Sequence, residues 1–277
     1  MDRFVELRTS PLNPGVSPVR IRVRESGTGP SLLILHGGWG AGVYPFDRQI
    51  AALSAGWRIV VPDRSGYGGS GRLHAQATDF HRRAAAETFG VIDALALDRP
   101  VLWGHSDGAV IALLMALDAP DRVGGVVAEA THVCRRKPAS RAFFEMMRDR
   151  PADVGQRIAA ALAGEHGDEW RQIVAMNGDA WLRLAEQGGE LYGGRLPELQ
   201  VPILVLHGAR DPRTEPGELE ALCADLGSAD GIPPRVRIAI FPDAGHSPHS
   251  ERASADEVTR IVAQFLSGLA PVAASSR

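Results

Sequence analysis

Short, continuous apolar runs recur along the chain, at 31–35, 57–61, 99–103, 123–128, 201–206 and 236–241. Each has the length of one strand, and 31–35, apolar almost throughout, lacks the in-out alternation of a half-exposed sheet, which marks a strand covered on both faces. Stretches with helical spacing lie between most of them, at 46–54, 79–97, 215–226 and 253–268. Two further strands, 2–9 and 18–25, flank the turn-rich Pro11-Leu12-Asn13-Pro14-Gly15 and read as edge strands. Strand and helix in alternation specify an α/β fold, a mostly parallel sheet of about eight strands with helices on both faces.

The alternation lapses at about residue 133. From there to about 198 only helical patterns occur, at 140–148, 152–163 and 168–187. The chain therefore divides into a first core part, 1–132, an inserted helical cap, 133–198, and a second core part, 199–277. The small, polar tail 271–277 is expected to fray. The run Arg135-Arg136-Lys137, at the start of the cap, reads as a solvated face.

One stretch organises the rest: Trp103-Gly104-His105-Ser106-Asp107-Gly108. A buried strand precedes it, and Ala109 to Leu117, apolar all round as a buried helix is, follows it. A Gly-x-Ser-x-Gly is thus set where a strand turns sharply into a helix, which pushes the serine hydroxyl into the open. Serine needs a base and an orienting acid to become a nucleophile. Open α/β sheets carry their sites beyond the C-terminal strand ends. Asp211 follows the run 201–206 and His246 follows 236–241, which gives the order Ser106, Asp211, His246. Glu129, at the end of 123–128, is the second choice of acid, and His249 the rival base. His246 with His249 also suggests a metal pair, but no third ligand is evident.

On these residues the chain resembles the α/β-hydrolase-fold serine hydrolases over nearly its whole length. It also carries a His-Gly turn (His36, Gly37) and an Asp-x-x-Gly-x-Gly-x-Ser loop (Asp63, Gly66, Gly68, Ser70) similar to theirs. Ser-Asp-Gly at the elbow and His-Gly-x-x-Asp-Pro at the acid are similar to the valacyclovir hydrolase (biphenyl hydrolase-like) branch. The turn faces the Asp107 N–H to any carbonyl that the serine attacks, and the resemblance implies the Gly38 N–H as the second oxyanion donor and a turn-stabilising His36; Asp63 and Arg64 read as loop braces. It also disfavours epoxide hydrolases and haloalkane dehalogenases, whose nucleophile position carries aspartate.

Asp107 places a carboxylate close to where negative charge would develop. Either the protein bonds it inward, or a cationic substrate group neutralises it; the branch resemblance implies the amino group of an aminoacyl ester. From the cap, Phe143, Met147, Trp170 and Trp181, with Trp39 from the core, are expected to line an apolar substrate pocket. Trp170 and Trp181 are close to three helical turns apart and could share a face.

Composition narrows this only at the margins. A chain of 277 residues, 44% hydrophobic and 23% charged, suits one globular unit. A net charge of −3 gives no reason to expect nucleic acid or an anionic membrane as partner. Lys137 is the only lysine, which reads as the mark of a GC-rich, bacterial genome. Two cysteines, no signal-like apolar run and no membrane-spanning stretch make the cytoplasm the default. The expected activity is metal-free and cofactor-free hydrolysis of a small carboxylic ester through an acyl-enzyme on Ser106. Amide, lactone, thioester or carbon–carbon bond hydrolysis would use the same triad. The reading from another class is a small-ligand-binding protein on the same fold. Oligomeric state is not specified by the sequence.

Overall fold

The computed structural model describes residues 1–227 and 231–269, so the tail expected to fray lies outside the described residues. The strands are β1 (Asp2–Leu7), β2 (Val19–Ser26), β3 (Ser31–Leu35), β4 (Arg58–Pro62), β5 (Val101–His105), β6 (Gly125–Glu129), β7 (Ile203–Gly208) and β8 (Val236–Phe241). They form one sheet in the order β1-β2-β4-β3-β5-β6-β7-β8. β2 is antiparallel to β1 and β4, and every pairing from β4 to β8 is parallel.

The runs that form β3 to β7 are buried on both faces, whereas along β8 only Val236 and Phe241 are buried. Along β3, Leu33 and Leu35 join the core under α2 (Phe80–Ala94) and α3 (Asp107–Asp118). Leu32 and Ile34 face the opposite core, under α1 (Asp47–Leu53) and α8 (Ala255–Ser267). β2 differs from expectation: it is no edge strand but is hydrogen-bonded to both β1 and β4. Only Val19, Ile21 and Val23 are buried there, while the arginines between them reach solvent. A strand covered on one face alternates in sequence whether or not it is paired on both sides.

Between β6 and β7 stand α4 (Arg141–Asp149), α5 (Gln156–His166) and α6 (Trp170–Gln187). The two ends of this insertion meet where the Leu191 N–H donates to the Val133 carbonyl at 2.8 Å. Lys137 departs from the solvated run expected of it, with only 2% of its surface exposed. Its ammonium donates to both oxygens of Glu218, at 2.8 and 2.6 Å, and to His132 Nδ1 at 3.0 Å. Glu218 also accepts the N–H groups of Val133 and Cys134, while Glu215 accepts those of Ala139 and Ser140. Two carboxylates before and at the start of α7 (Glu218–Leu226) thus replace water around the first residues of the insertion. Among the described residues no helix is long and apolar enough to cross a membrane.

Candidate active site

The β5–α3 turn has the geometry that its residue types require. Ser106 is held at φ 55° and ψ −119°, in a region that side-chain-bearing residues rarely adopt. A Cβ on Gly104 would lie 2.1 Å from the Gly108 carbonyl oxygen, and one on Gly108 would lie 2.0 Å from that of Leu35. Only glycine lets strand, turn and helix approach so closely.

Asp211 and His246 meet across the ends of β7 and β8. His246 Nδ1 donates to Asp211 Oδ2 at 2.7 Å, and the Arg213 N–H donates to Asp211 Oδ1 at 2.9 Å. Gly208 makes this meeting possible, since a Cβ there would stand 1.9 Å from the Gly245 carbonyl oxygen. Glu251 fixes the histidine loop by accepting the N–H groups of Gly245 and Ser247. His246 Nε2 is buried and has no hydrogen-bond partner among the described residues. Burial favours the neutral imidazole, and the Arg213 charge adds to it; together they outweigh Asp211 and set the His246 pKa below its ordinary value. Burial pushes the Asp211 pKa up, but its contact with His246 and the Arg213 N–H hydrogen bond prevail and hold it well below the usual carboxylate range.

The rival acid and base are committed to each other. His249 Nδ1 lies 2.8 Å from Glu129 Oε1, its Nε2 lies 3.1 Å from the Tyr44 carbonyl, and Trp103 Nε1 donates to Glu129 Oε2. With both ring nitrogens on protein oxygens, His249 has none left for a metal shared with His246. His36, Asp63 and Arg64 brace loops: the Arg64 N–H donates to His36 Nε2, and the Gly69 N–H to Asp63 Oδ2.

Both N–H groups expected to hold an oxyanion, those of Gly38 and Asp107, lack a protein acceptor among the described residues. Asn177 packs against Gly38 so tightly that a Cβ there would meet its Oδ1 at 2.4 Å.

The Asp107 carboxylate accepts three hydrogen bonds from the protein's own donors, with an arginine charge beside it. Oδ1 accepts from Trp181 Nε1 at 3.0 Å and from His81 Nε2 at 3.2 Å. Oδ2 accepts from Asn177 Nδ2 at 3.0 Å and lies 3.9 Å from an Arg64 nitrogen. Burial would raise its pKa, but the His81 hydrogen bond, the Arg64 charge and the Asn177 hydrogen bond overcome this and hold the carboxyl below its ordinary range. Its position in the first turn of α3 further favours the anion. Of the two readings that the sequence leaves open for Asp107, the geometry has the inward one.

Ser106 lines a small cavity together with Trp39, Phe143, Met147 and Trp181. Trp170 does not reach it; it is buried elsewhere, with Arg171 over its ring. The two tryptophans share a helical face, but eleven residues along α6 separate them by about 16 Å, so one cavity cannot take both.

Comparison with known proteins decides the family. A model described as alpha/beta hydrolase fold matches residues 30–167, and one described as prolyl oligopeptidase family matches residues 190–270. The chain belongs to the α/β-hydrolase family. It is 33% identical over 195 residues to epoxide hydrolase A of Mycobacterium tuberculosis, covering 65% of this chain and 60% of that protein. It is 30% identical over 254 residues to the magnesium-chelatase 30 kDa subunit of Rhodobacter capsulatus, covering 91% and 82%. It is 26% identical over 259 residues to the serine hydrolase BPHL of Mus musculus, covering 91% and 84%. Against the four epoxide hydrolases that it resembles, the matched part spans only 38–60% of their length. A thermophilic esterase from Thermogutta terrifontis superposes with a TM-score of 0.70 at 23% identity, covering 97% of this chain and all of that one; at this identity the likeness is one of fold.

Within this family frame the cavity holds residues that the sequence does not announce: Tyr44, His132, Asn177 and Arg213. None stands in a motif. His132 accepts the Lys137 ammonium at Nδ1, which leaves its proton on Nε2. Burial first, then the Lys137 charge, hold its pKa well below the ordinary value. The insertion is tied to the core through α5: Glu165 accepts the N–H groups of Ala41 and Gly42, and His166 bridges Gly68 and Trp39. One signal was available for this latch, since adjacent acid and histidine at the end of an otherwise alanine-rich helix have no apolar role.

Proposed function

We propose that the chain hydrolyses a small carboxylic ester through an acyl-enzyme on Ser106. The observation that carries this reading is His246, bonded to Asp211 at 2.7 Å through Nδ1 while its buried Nε2 is unpartnered, with Ser106 at the strained turn. In the proposed cycle Ser106 Oγ attacks the ester carbonyl as its proton passes to His246 Nε2. The carbonyl π electrons move onto oxygen, which the N–H groups of Gly38 and Asp107 stabilise. Collapse breaks the bond to the alcohol, which leaves with the proton from His246. Water, deprotonated by the same nitrogen, then releases the acid and restores Ser106. Asp211 keeps the imidazole in the tautomer that can accept at Nε2.

Acyl transfer suits a serine where epoxide opening does not. Serine attack on an epoxide carbon would leave an alkyl ether, which no water activated by His246 could cleave. An acyl-serine is itself an ester and turns over. The names of the epoxide hydrolase relatives therefore do not carry over in this reading. An aminoacyl substrate is also set aside, because Asp107 is satisfied by the protein's own donors.

The test is kcat/KM for p-nitrophenyl crotonate on wild type, Ser106→Ala and His246→Gln. Each variant is expected to lose about a thousandfold or more in kcat. Saturable binding of the ester with no turnover by wild type would favour a binding protein instead.

A further inference from the structure

We infer that the ester's acyl part carries an anionic group, most simply a carboxylate, and that Arg213 receives it. This rests on the hydrolase reading above and adds the substrate class. Arg213 lines the cavity that contains Ser106. Its guanidinium carbon lies 4.4 Å from the Phe143 ring centroid, 4.8 Å from that of Trp39 and 5.8 Å from that of Tyr44. Nη2 donates to the Tyr44 hydroxyl at 3.0 Å. Among the described residues no carboxylate lies within salt-bridge distance of this guanidinium, and Nη1 and Nε have no acceptor.

Arg64, the other arginine close to the elbow, is tied to the His36 and Gly37 carbonyls and lies beside Asp107. Arg213 instead is half-buried and flanked by three rings, which hold the planar fork in place. Two N–H edges are left free to take a carboxylate. The other charge in the cavity wall, Asp107, is compensated by His81, Asn177, Trp181 and Arg64, so it does not offset Arg213. The imidazoles of His105 and His132 are kept neutral, first by burial. Among the described residues Arg213 is therefore the cation of the cavity wall that has no ion-pair partner, the anionic Asp211 lying outside that wall. A short acyl chain with a carboxylate at its far end would place the ester carbonyl at Ser106 and the anion at Arg213.

The experiment compares p-nitrophenyl hydrogen fumarate with p-nitrophenyl crotonate, acyl groups that differ in a carboxylate against a methyl. Both are measured on wild type, Arg213→Gln and Arg213→Lys. The fumarate-to-crotonate ratio of kcat/KM is expected to fall about tenfold to a hundredfold in Arg213→Gln, with Arg213→Lys between. Intrinsic ester reactivity cancels in this comparison, and so does any general loss of activity in a variant. An unchanged ratio would overturn the inference and make Arg213 a wall of the cavity. A second readout separates this from failure of the hydrolase reading: calorimetric binding of monomethyl fumarate to Ser106→Ala, with and without Arg213→Gln. If wild type turns over neither ester, the hydrolase reading falls, and binding then decides about Arg213. Loss of at least tenfold in affinity with Arg213→Gln supports it, and equal affinity overturns it.

Discussion

Asp107 serves the chain in two ways that a single side chain rarely combines. Its N–H is free toward the cavity, while its carboxylate ties together the elbow, α2 through His81, and α6 through Asn177 and Trp181. Replacing it leaves three buried donors without an acceptor, each costing about 1–3 kcal/mol. Asp107→Ala is therefore expected to lower stability by about 3 kcal/mol or more, measured by urea denaturation. The backbone N–H survives the change, so preference between ammonium-bearing and neutral esters is expected to stay as in wild type. Loss of a pre-existing ammonium preference in Asp107→Ala would contradict this account. Neither Asn177 nor His81 could be paired with Asp107 from the sequence. Their contacts cross 70 and 26 positions of chain respectively, and nothing local requires them.

Among the elements, the root of the cap has the clearest consequence. Lys137 is the chain's only lysine, and it is enclosed with Glu218 and His132. Removing one partner of a buried ion pair typically costs about 3–5 kcal/mol. Lys137→Met is expected to lower the melting temperature and loosen the cap before the core. The native enclosure can be checked without mutation. An amine-acylating reagent should leave Lys137 unmodified in the folded protein and modify it after unfolding, as read by peptide mass. Rapid native labelling would mean that the root opens freely. The contrast with the elbow is instructive. Strand, turn, serine and helix are consecutive residues whose types obey one local geometry, so the sequence shows them. Lys137 sits in a run of three cations, and the contact with the distant Glu218 that removes it from water has no local signal. The spacing of Trp170 and Trp181 misled for a related reason: it reports rotation about a helix, not distance along it. Arg213 was equally silent, because a single loop arginine looks the same whether it faces solvent or a cavity.

Across the whole molecule, buried histidines govern the response to pH. His36, His81, His105, His132, His207 and His246 all have pKa values below the ordinary 6.5, in each case first because burial disfavours the imidazolium. As pH falls through 6.5 the unfolded chain takes up protons that the folded chain refuses, so stability rises with pH through this window and declines below it. The carboxylates Asp107 and Asp211 have lowered values, so their losses set in only near and below 3.8. Melting temperature is therefore expected to drop by more than about 5 °C between pH 7 and pH 5. A flat profile over that range would contradict the neutral, buried state of these rings. The fold that holds them was readable from the alternation of apolar runs and helices. Which histidines are buried was not, since a histidine after a strand looks alike as base, brace or stacking partner.

The central claim is that Ser106 forms an acyl-enzyme. The direct measurement is the mass of the Ser106-containing peptide after an acid quench of the protein turning over p-nitrophenyl crotonate. The account predicts a crotonyl adduct on Ser106, enriched in His246→Gln if deacylation slows more than acylation, and absent from Ser106→Ala together with turnover. Wild-type turnover by Ser106→Ala, or an adduct confined to another residue, would contradict it.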